Sequence, residues 1–402
     1  MDSNVFFLPH EIIRNILKRL PVKSLIRFQC VCKDWKNLIQ NPSFIVDHLQ
    51  QSTHQNPSLL LECNGINIPL PWMQVIQNPT DCWLQVRGVQ NSPSNNFLRN
   101  AGIVGSCNGL LCLETNRYSQ PPLSLSLWNP ATTAVRHVPR TRTAFSDFDD
   151  CLTGFGFSPI VNDYTIVRIY AKSYDVVTEV EVFSLNRGTW KAIDIGNLKG
   201  VRLSSETVTA NGAIFWCGVK LVGEKEEGEG NIDLQEDEDY IEEAEDGVVV
   251  IVSFDIAKEV FTVIPRPELD YHACMKLTVY ENKLAILCDI WELDDEIPYM
   301  IDLWVLDEGT CASGQTWSWT KRYTSSPLSR TLDLMTIWRN EIICKPHSEE
   351  RDDKGRINVI YMMNLTTNEV KGYVMPYRDY LLRIYNYVES LVSFGNNYVE
   401  ES

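Results

Sequence analysis

Short phrases built around an asparagine recur along most of the chain, from about residue 58 onward. GSCNGLLCL, TANGAIFWCG, YENKLAILC and WRNEIICKP each place an asparagine at a turn before an apolar strand, at Asn108, Asn211, Asn282 and Asn340. The first two lie 103 residues apart and the last two lie 58 apart. The middle interval is 71 residues, or 48 without the acidic segment 224–246. This spacing predicts a structural repeat of about fifty residues.

Each repeat also contains a later strand with an Asn or Asp bend, as in LSLWNPATTAVRHVP and IVSFDIAKEVFTVIP. Repeats of about fifty residues with four short strands are typical of a β-propeller. We therefore predict one large all-β domain over 58–396, with about six blades, a closing strand within 384–394 and a C-terminal tail at 397–402. The paired glycines of kelch blades are absent, which leaves blade number and closure open.

The first fifty residues have a different period, that of helices. Ile12, Ile13, Ile16, Leu17 and Leu20 recur at helical spacing, Pro21 precedes a second helix, and a third should stop at Asn41-Pro42. We predict a three-helix domain over 1–49 and a polar linker, QQSTHQNP, over 50–57. Because three short helices cannot bury this much apolar surface alone, an apolar face should remain for a partner.

The net charge of −17 is distributed unevenly along the 402 residues. Residues 1–45 hold seven Lys or Arg against three acidic residues, whereas 224–246 hold thirteen acidic residues and one Lys. An acidic body disfavours nucleic acid and favours a basic protein partner, while the basic head favours an acidic one. The candidate contacts for a basic substrate are acidic side chains of the insertion: Glu224, Glu226, Glu227, Asp237, Glu238 and Asp239. The alternative is a solvating loop without a partner.

Motifs for catalysis, metals or cofactors are missing from the sequence. The six histidines form no metal-binding spacing, no C-x-x-C pair occurs, and phosphate-binding and nucleophile motifs are absent. We therefore predict no catalytic residue, metal or cofactor, and interpret the cysteines as buried, reduced thiols. The chain also shows no secretory signal and no apolar run long enough for a membrane helix, which predicts a cytoplasmic location without membrane contact, with the nucleus as an alternative.

Residues 8–44, LPHEIIRNILKRLPVKSLIRFQCVCKDWKNLIQNPSF, resemble an F-box. The segment opens with Leu-Pro and an acidic residue and continues through a second LP, a K-S-L step, R-F-x-x-V-C-K-x-W and P-x-F, as F-boxes do. The β-part resembles the plant F-box-associated domain in GSCNGLLCL, LWNPAT, FGF followed by DYTIVRI, and VEVFSLNRGTWK. Together the two resemblances cover nearly the whole chain.

The resemblance implies a non-catalytic substrate-recognition subunit of an SCF-type cullin-RING ubiquitin ligase. Such a subunit binds a Skp-family adaptor, and through it the cullin and RING subunits, while its β-domain holds a protein for ubiquitination and proteasomal degradation. The resemblance assigns adaptor binding to twelve residues: Leu8, Pro9, Ile12, Ile16, Leu17, Leu20, Pro21, Val22, Leu25, Val31, Cys32 and Trp35. Ile13, Phe28 and Ile39 are assigned mainly to packing, and Cys32 is expected to pack as a small hydrophobe.

Three other functions stay open at this point. A narrower one is an S-locus F-box receptor, which recognises basic ribonucleases (S-RNases) in pollen and which this chain also resembles. A second is an F-box scaffold that does not lead to degradation. A third is a propeller enzyme, which would need a cluster of catalytic residues that the sequence does not offer.

Overall fold

The computed structural model describes the fold over most of the chain. The described residues are 8–55, 57–64, 72–77, 84–88, 101–115, 124–141, 150–172, 176–221, 247–269, 275–290, 299–311, 314–347, 350–352, 355–375 and 380–394. The predicted acidic contacts at 224–246 lie outside these residues. Among the helices described, none is long and apolar enough to cross a membrane.

The N-terminal domain contains four helices: α1 (His10–Leu17), α2 (Val22–Phe28), α3 (Lys33–Ile39) and α4 (Pro42–Gln55). The first three lie where the sequence predicted them. The predicted linker at 50–57 is wrong, because α4 continues to Gln55. Proline stops a preceding helix but suits the first turn of the next one, and here the Asn41 side chain accepts a hydrogen bond from Ser43 N at 2.9 Å.

The rest of the described chain forms six four-stranded antiparallel sheets. The first joins β1 (Ser58–Asn64), β2 (Trp72–Gln77) and β3 (Leu84–Gly88) to the last strand, β26 (Tyr380–Tyr387). The second and third are β4 (Ala101–Cys107), β5 (Leu110–Thr115), β6 (Ser124–Trp128) and β7 (Val135–His137), then β8 (Asp150–Ser158), β9 (Asp163–Lys172), β10 (Val176–Ser184) and β11 (Thr189–Ile193).

The remaining three sheets also follow the order of the chain. The fourth is β12 (Val201–Ala210), β13 (Ala213–Leu221), β14 (Gly247–Asp255) and β15 (Val260–Pro265). The fifth is β16 (Met275–Tyr280), β17 (Lys283–Ile290), β18 (Met300–Cys311) and β19 (Gly314–Thr324). The sixth is β20 (Leu332–Trp338), β21 (Glu341–Pro346), β24 (Val359–Asn364) and β25 (Val370–Val374), interrupted by the hairpin β22 (Glu350–Asp352) and β23 (Gly355–Ile357).

The sheets are the blades of a closed ring. The first strand of each blade contacts the first strand of the next, in the order β26, β4, β8, β12, β16, β20 and back to β26. The part of the chain that the structure describes contains six four-stranded sheets, and pairing of β26 with β1 closes the ring. The predicted closing strand at 384–394 is only partly correct, because the strand ends at Tyr387 and residues 388–394 leave the sheet.

The recurring asparagines occupy the tight turns between the first and second strands of the blades. Asn108, Asn211 and Asn282 have φ angles of 52°, 49° and 61°. Asparagine tolerates this left-handed conformation better than most residues, which explains the repeat in the sequence. The fourth turn differs: Arg339 takes the positive φ (57°), and the Asn340 side chain instead donates a hydrogen bond to Thr366 Oγ1 at 2.8 Å.

Most described cysteines pack in the blades, as the sequence predicted. Cys112, Cys217, Cys288 and Cys344 are buried and Cys107 and Cys151 are half-buried, whereas Cys30 and Cys32 are exposed. Burial raises the pKa of the Cys217 thiol to about 12, so that this thiol stays protonated and unreactive at neutral pH. The expectation of burial is therefore wrong for the two cysteines of the helical domain.

Candidate functional site

The helical domain sits on one face of the propeller. Leu391, from the segment after β26, packs in the same apolar cluster as Leu17 and Phe44 of the helices, together with Ala131 from the turn between β6 and β7. This face therefore carries the connections from the first to the second strand and from the third to the fourth strand of each blade. Because the strands are antiparallel, the connections from the second to the third strand lie on the opposite face.

The segment 388–394 ties the two domains together. The Asn129 side chain donates hydrogen bonds to Ser390 O (3.1 Å) and Val392 O (2.8 Å), and Arg136 donates to Phe394 O at 3.0 Å. At Gly109, with a φ of 79°, an added Cβ would lie 2.4 Å from Val388 O. Only glycine fits where this segment crosses the turn.

Helix α1 is apolar on two sides. Ile13 and Leu17 face the core of the helical domain, where Leu17 is 1% exposed. Leu8 precedes the helix, and with Ile12 and Ile16 it follows a spacing of four residues that puts these side chains on one stripe. They are 54%, 46% and 48% exposed. This stripe is the unburied apolar face that the sequence predicted.

The structure divides the twelve predicted adaptor contacts into three groups. The exposed ones are Leu8, Pro9, Ile12, Ile16, Pro21, Val31 and Cys32, and the half-buried ones are Leu20 and Trp35. Leu17, Val22 and Leu25 are fully buried. The helices use these three side chains to pack on one another, so they offer no surface to a partner in this arrangement. Ile13, Phe28 and Ile39 belong to the same packed cluster, as expected.

Two exposed apolar residues were missed by the sequence interpretation. Ile26 of α2 is 38% exposed, and Val46 of α4 is 52% exposed. For Ile26 a signal was available: Val22 and Leu25 are three residues apart and share the buried face, which turns the next position outward. Val46 was missed because α4 itself was not predicted.

Polar and aromatic contacts hold the helices in their arrangement. The Arg14 guanidinium donates to Asp47 Oδ2 at 2.6 Å and lies 5.6 Å from the centroid of the Phe44 ring, which links α1 to α4. Cys32 does not pack as a small hydrophobe, as had been expected. Its exposed Sγ caps α3 by accepting a hydrogen bond from Trp35 N at 3.5 Å.

Basic side chains outnumber acidic ones on the exposed surface of the first three helices and their connections. The exposed ones are Arg19, Lys23, Arg27, Lys33 and Lys36, against the exposed acids Glu11 and Asp34. A positive potential around exposed aliphatic side chains is suited to an acidic protein partner. In the part of the chain that the structure describes, no group of three His, Cys, Asp or Glu side chains is placed to hold a metal.

His48 is a buried titratable side chain in the helical domain. It is 1% exposed, stacks on Phe44 with ring centroids 6.3 Å apart, and its Nε2 lies 3.0 Å from Leu20 O. Burial lowers the pKa of His48 below its ordinary value, and the hydrogen bond to Leu20 O opposes this shift only in part. The unfolded chain therefore binds more protons here than the folded one.

We expect the helical domain to lose stability as the pH falls below about 6.5, the ordinary pKa of histidine. The measurement is thermal unfolding of the full chain at pH 7.5 and 5.5, compared with a His48→Gln variant, in which this group cannot titrate. The matched control is His54→Gln, since His54 is exposed on the same helix. An equal loss of stability on acidification in the His48→Gln variant and the unaltered chain would contradict this role.

Both domains match known families. Residues 6–47 match the F-box domain, and residues 67–394 match the F-box associated beta propeller domain. Three relatives from Arabidopsis thaliana are similar over most of their length. F-box/kelch-repeat protein At3g23880 is 23% identical over 78% of this chain and 78% of its own, F-box protein At3g07870 is 24% identical over 83% and 77%, and F-box protein CPR1 is 24% identical over 79% and 72%.

The two matches follow the division seen in the structure. The first ends within α4, and the second reaches the segment 388–394 that contacts the helices. The second alone spans well over half of the chain. The chain therefore belongs to the family of F-box proteins that carry an F-box-associated β-propeller domain.

Proposed function

We propose that this protein is the substrate-recognition subunit of an SCF-type cullin-RING ubiquitin ligase. The helical domain binds a Skp-family adaptor, which brings the cullin and RING subunits, and the propeller holds a target protein for ubiquitination and degradation. In this role the chain contributes position rather than chemistry, since holding a target lysine near a charged conjugating enzyme raises its effective concentration by orders of magnitude.

The exposed stripe of α1 carries the proposal. Leu8, Ile12 and Ile16 stay about half exposed although the other side of the same helix is packed. Covering them stabilises a complex by roughly 25 cal/mol for each Å² of apolar surface removed from water, before the costs of association. The matches to the F-box domain and to F-box proteins of Arabidopsis thaliana support an adaptor as the partner.

The propeller face opposite the helices is the proposed site for the target. The connections between the second and third strands of the blades lie on that face. One of them contains the acidic segment and joins Leu221 to Gly247, two residues that pair with one another. The segment 388–394 holds the helices on the other face, so a target bound opposite would not compete with the adaptor. The narrower function, an S-locus receptor that recognises S-RNases, stays a prediction, because the candidate acidic contacts for such a target lie outside the described residues.

Affinity purification from plant cells under proteasome inhibition tests the proposal. We expect the intact chain to recover adaptor, cullin and target, whereas a Leu8→Ala/Pro9→Ala variant recovers the target alone. Both altered side chains are exposed, so the variant should fold normally. The matched control is Val374→Ala, which alters an apolar side chain that is also more than half exposed, at the opposite end of the propeller.

Equal recovery of the adaptor by the intact chain and the Leu8→Ala/Pro9→Ala variant would refute the adaptor site. Recovery of a partner whose amount does not rise under proteasome inhibition would favour a scaffold that does not lead to degradation.

A further inference from the structure

The hairpin turn between β8 and β9 presents two apolar side chains to solvent. Ile160 is 80% exposed and Val161 is 46% exposed. The turn joins the first and second strands of its blade, so it lies on the face that carries the helical domain. It also borders the same cavity, about 1500 Å³, as the α4 residues Val46 and Leu49. The helices and this turn therefore share one side of the molecule.

The turn is held in place by the neighbouring turn of the same blade. Asp163 is buried and accepts hydrogen bonds from the Ser184 hydroxyl and from Asn186 N, the latter at 3.0 Å. Asn186 Nδ2 in turn donates to Asn162 O at 3.0 Å. Ile160 and Val161 are thus offered on a fixed backbone, which lowers the entropy that a partner must overcome on binding.

Cationic side chains lie next to this pair of turns, on the side of the following blade. Arg187 follows Asn186 directly, and Arg187 Nη2 and Lys191 Nζ each lie 2.6 Å from a carboxylate oxygen of Glu259. Val260, the next residue, is 51% exposed, and Lys258 lies on the other side of Glu259. The side chains of Arg187, Lys191 and Lys258 are 55%, 56% and 76% exposed, whereas those of Glu259 and Asp255 are 19% and 34% exposed and Asp163 is buried, so the charges that face solvent here are mainly cationic.

We propose that Ile160, Val161 and Val260, with Arg187, Lys191 and Lys258, form a second docking surface for the protein bound to the F-box helices, contacted by an acidic segment with an apolar side chain. We assign the same partner to this second surface because it lies on the face of the propeller that carries the helices, and because its exposed cationic side chains complement carboxylates. The proposal rests on the proposed function, since it requires that the helices bind an adaptor.

The affinity of the full chain for a purified Skp-family adaptor tests this second surface. We expect an Ile160→Asp/Val161→Asp variant to bind about 10-fold more weakly, because it removes two apolar contacts and places two carboxylates opposite an acidic segment. An Arg187→Ala/Lys191→Ala variant should bind with a weaker dependence on salt. Val374→Asp is the matched control, because Val374 is 65% exposed at the opposite end of its blade and should leave affinity unchanged.

The same measurement on Leu8→Ala/Pro9→Ala separates the two proposals. Loss of binding in that variant, with unchanged affinity in Ile160→Asp/Val161→Asp, would overturn the second surface and leave the proposed function standing. Unchanged affinity in Leu8→Ala/Pro9→Ala would count against the proposed function itself. An equal loss of affinity in Val374→Asp would also overturn the second surface. If the intact chain self-associates and Ile160→Asp/Val161→Asp abolishes this, the surface binds a second copy of this chain instead of the adaptor.

Discussion

Replacing Ile12 and Ile16 with alanine will weaken adaptor binding by on the order of 100-fold, or about 3 kcal/mol, without unfolding the protein. Both side chains are nearly half exposed and contribute little to the core of the helical domain, so only a complex that covers them loses their burial. Isothermal titration of the full chain with purified adaptor measures the loss. The melting temperature should stay close to that of the unaltered chain, as for other surface substitutions.

The neighbouring position gives the matched contrast. Leu17 follows Ile16 directly but is 1% exposed, so Leu17→Ala should cost about 2–5 kcal/mol of stability through the cavity that it leaves. The two substitutions therefore separate binding from folding within one helix. An Ile12→Ala/Ile16→Ala chain that binds the adaptor with unchanged affinity would remove the stripe from the proposed interface.

Replacing Glu114 with leucine will destabilise the propeller by about 3–5 kcal/mol, because it leaves a buried charge without its partner. Glu114 of β5 accepts hydrogen bonds from Arg168 Nη2 at 3.1 Å and from Thr153 Oγ1 at 3.3 Å, both in the next blade. The Glu114 and Arg168 side chains are 7% and 8% exposed. Arg168 also interacts with Tyr170, but its Nε has no hydrogen-bond partner among the described residues, and Glu114 is the carboxylate with which it forms an ion pair.

Urea unfolding followed by tryptophan fluorescence measures this effect. The control is the double variant Glu114→Leu/Arg168→Met, which removes both charges and should recover most of the lost stability. A loss below about 1 kcal/mol in the single variant would show that water or a local shift satisfies Arg168, and the pair would then have no role in joining the blades.

The β-domain was predictable because several blades repeat one local requirement. Asn108 and Asn211 stand where the backbone needs a positive φ, and a requirement repeated at a fixed interval leaves a period in the sequence. The fourth helix was not predictable in the same way. Pro42 ends one helix and begins the next, and Asn41 both precedes a proline and caps α4, so local patterns favoured a break as strongly as a helix.

The candidate site was predictable as a set of residues but not as a surface. Helical periodicity shows that α1 is apolar on more than one side, yet it cannot show which side the other helices cover. Leu17 and Ile16 are adjacent and similar in hydrophobicity, and only their packing separates a core residue from an exposed one. The helices dock on the propeller through Leu391, which lies near the other end of the sequence. A contact between residues so far apart leaves no pattern in the local sequence.

The sequence by itself determined two architectures, a helical head and a repeating β-domain, because helical period and turn chemistry are local properties of neighbouring residues. Only the tertiary structure decided which apolar side chains stay exposed, which strand pairs with the closing strand and where that strand ends, and that the helices lie on the face with the tight turns. These outcomes depend on contacts between residues far apart in the chain, and such contacts are set by packing of the whole molecule.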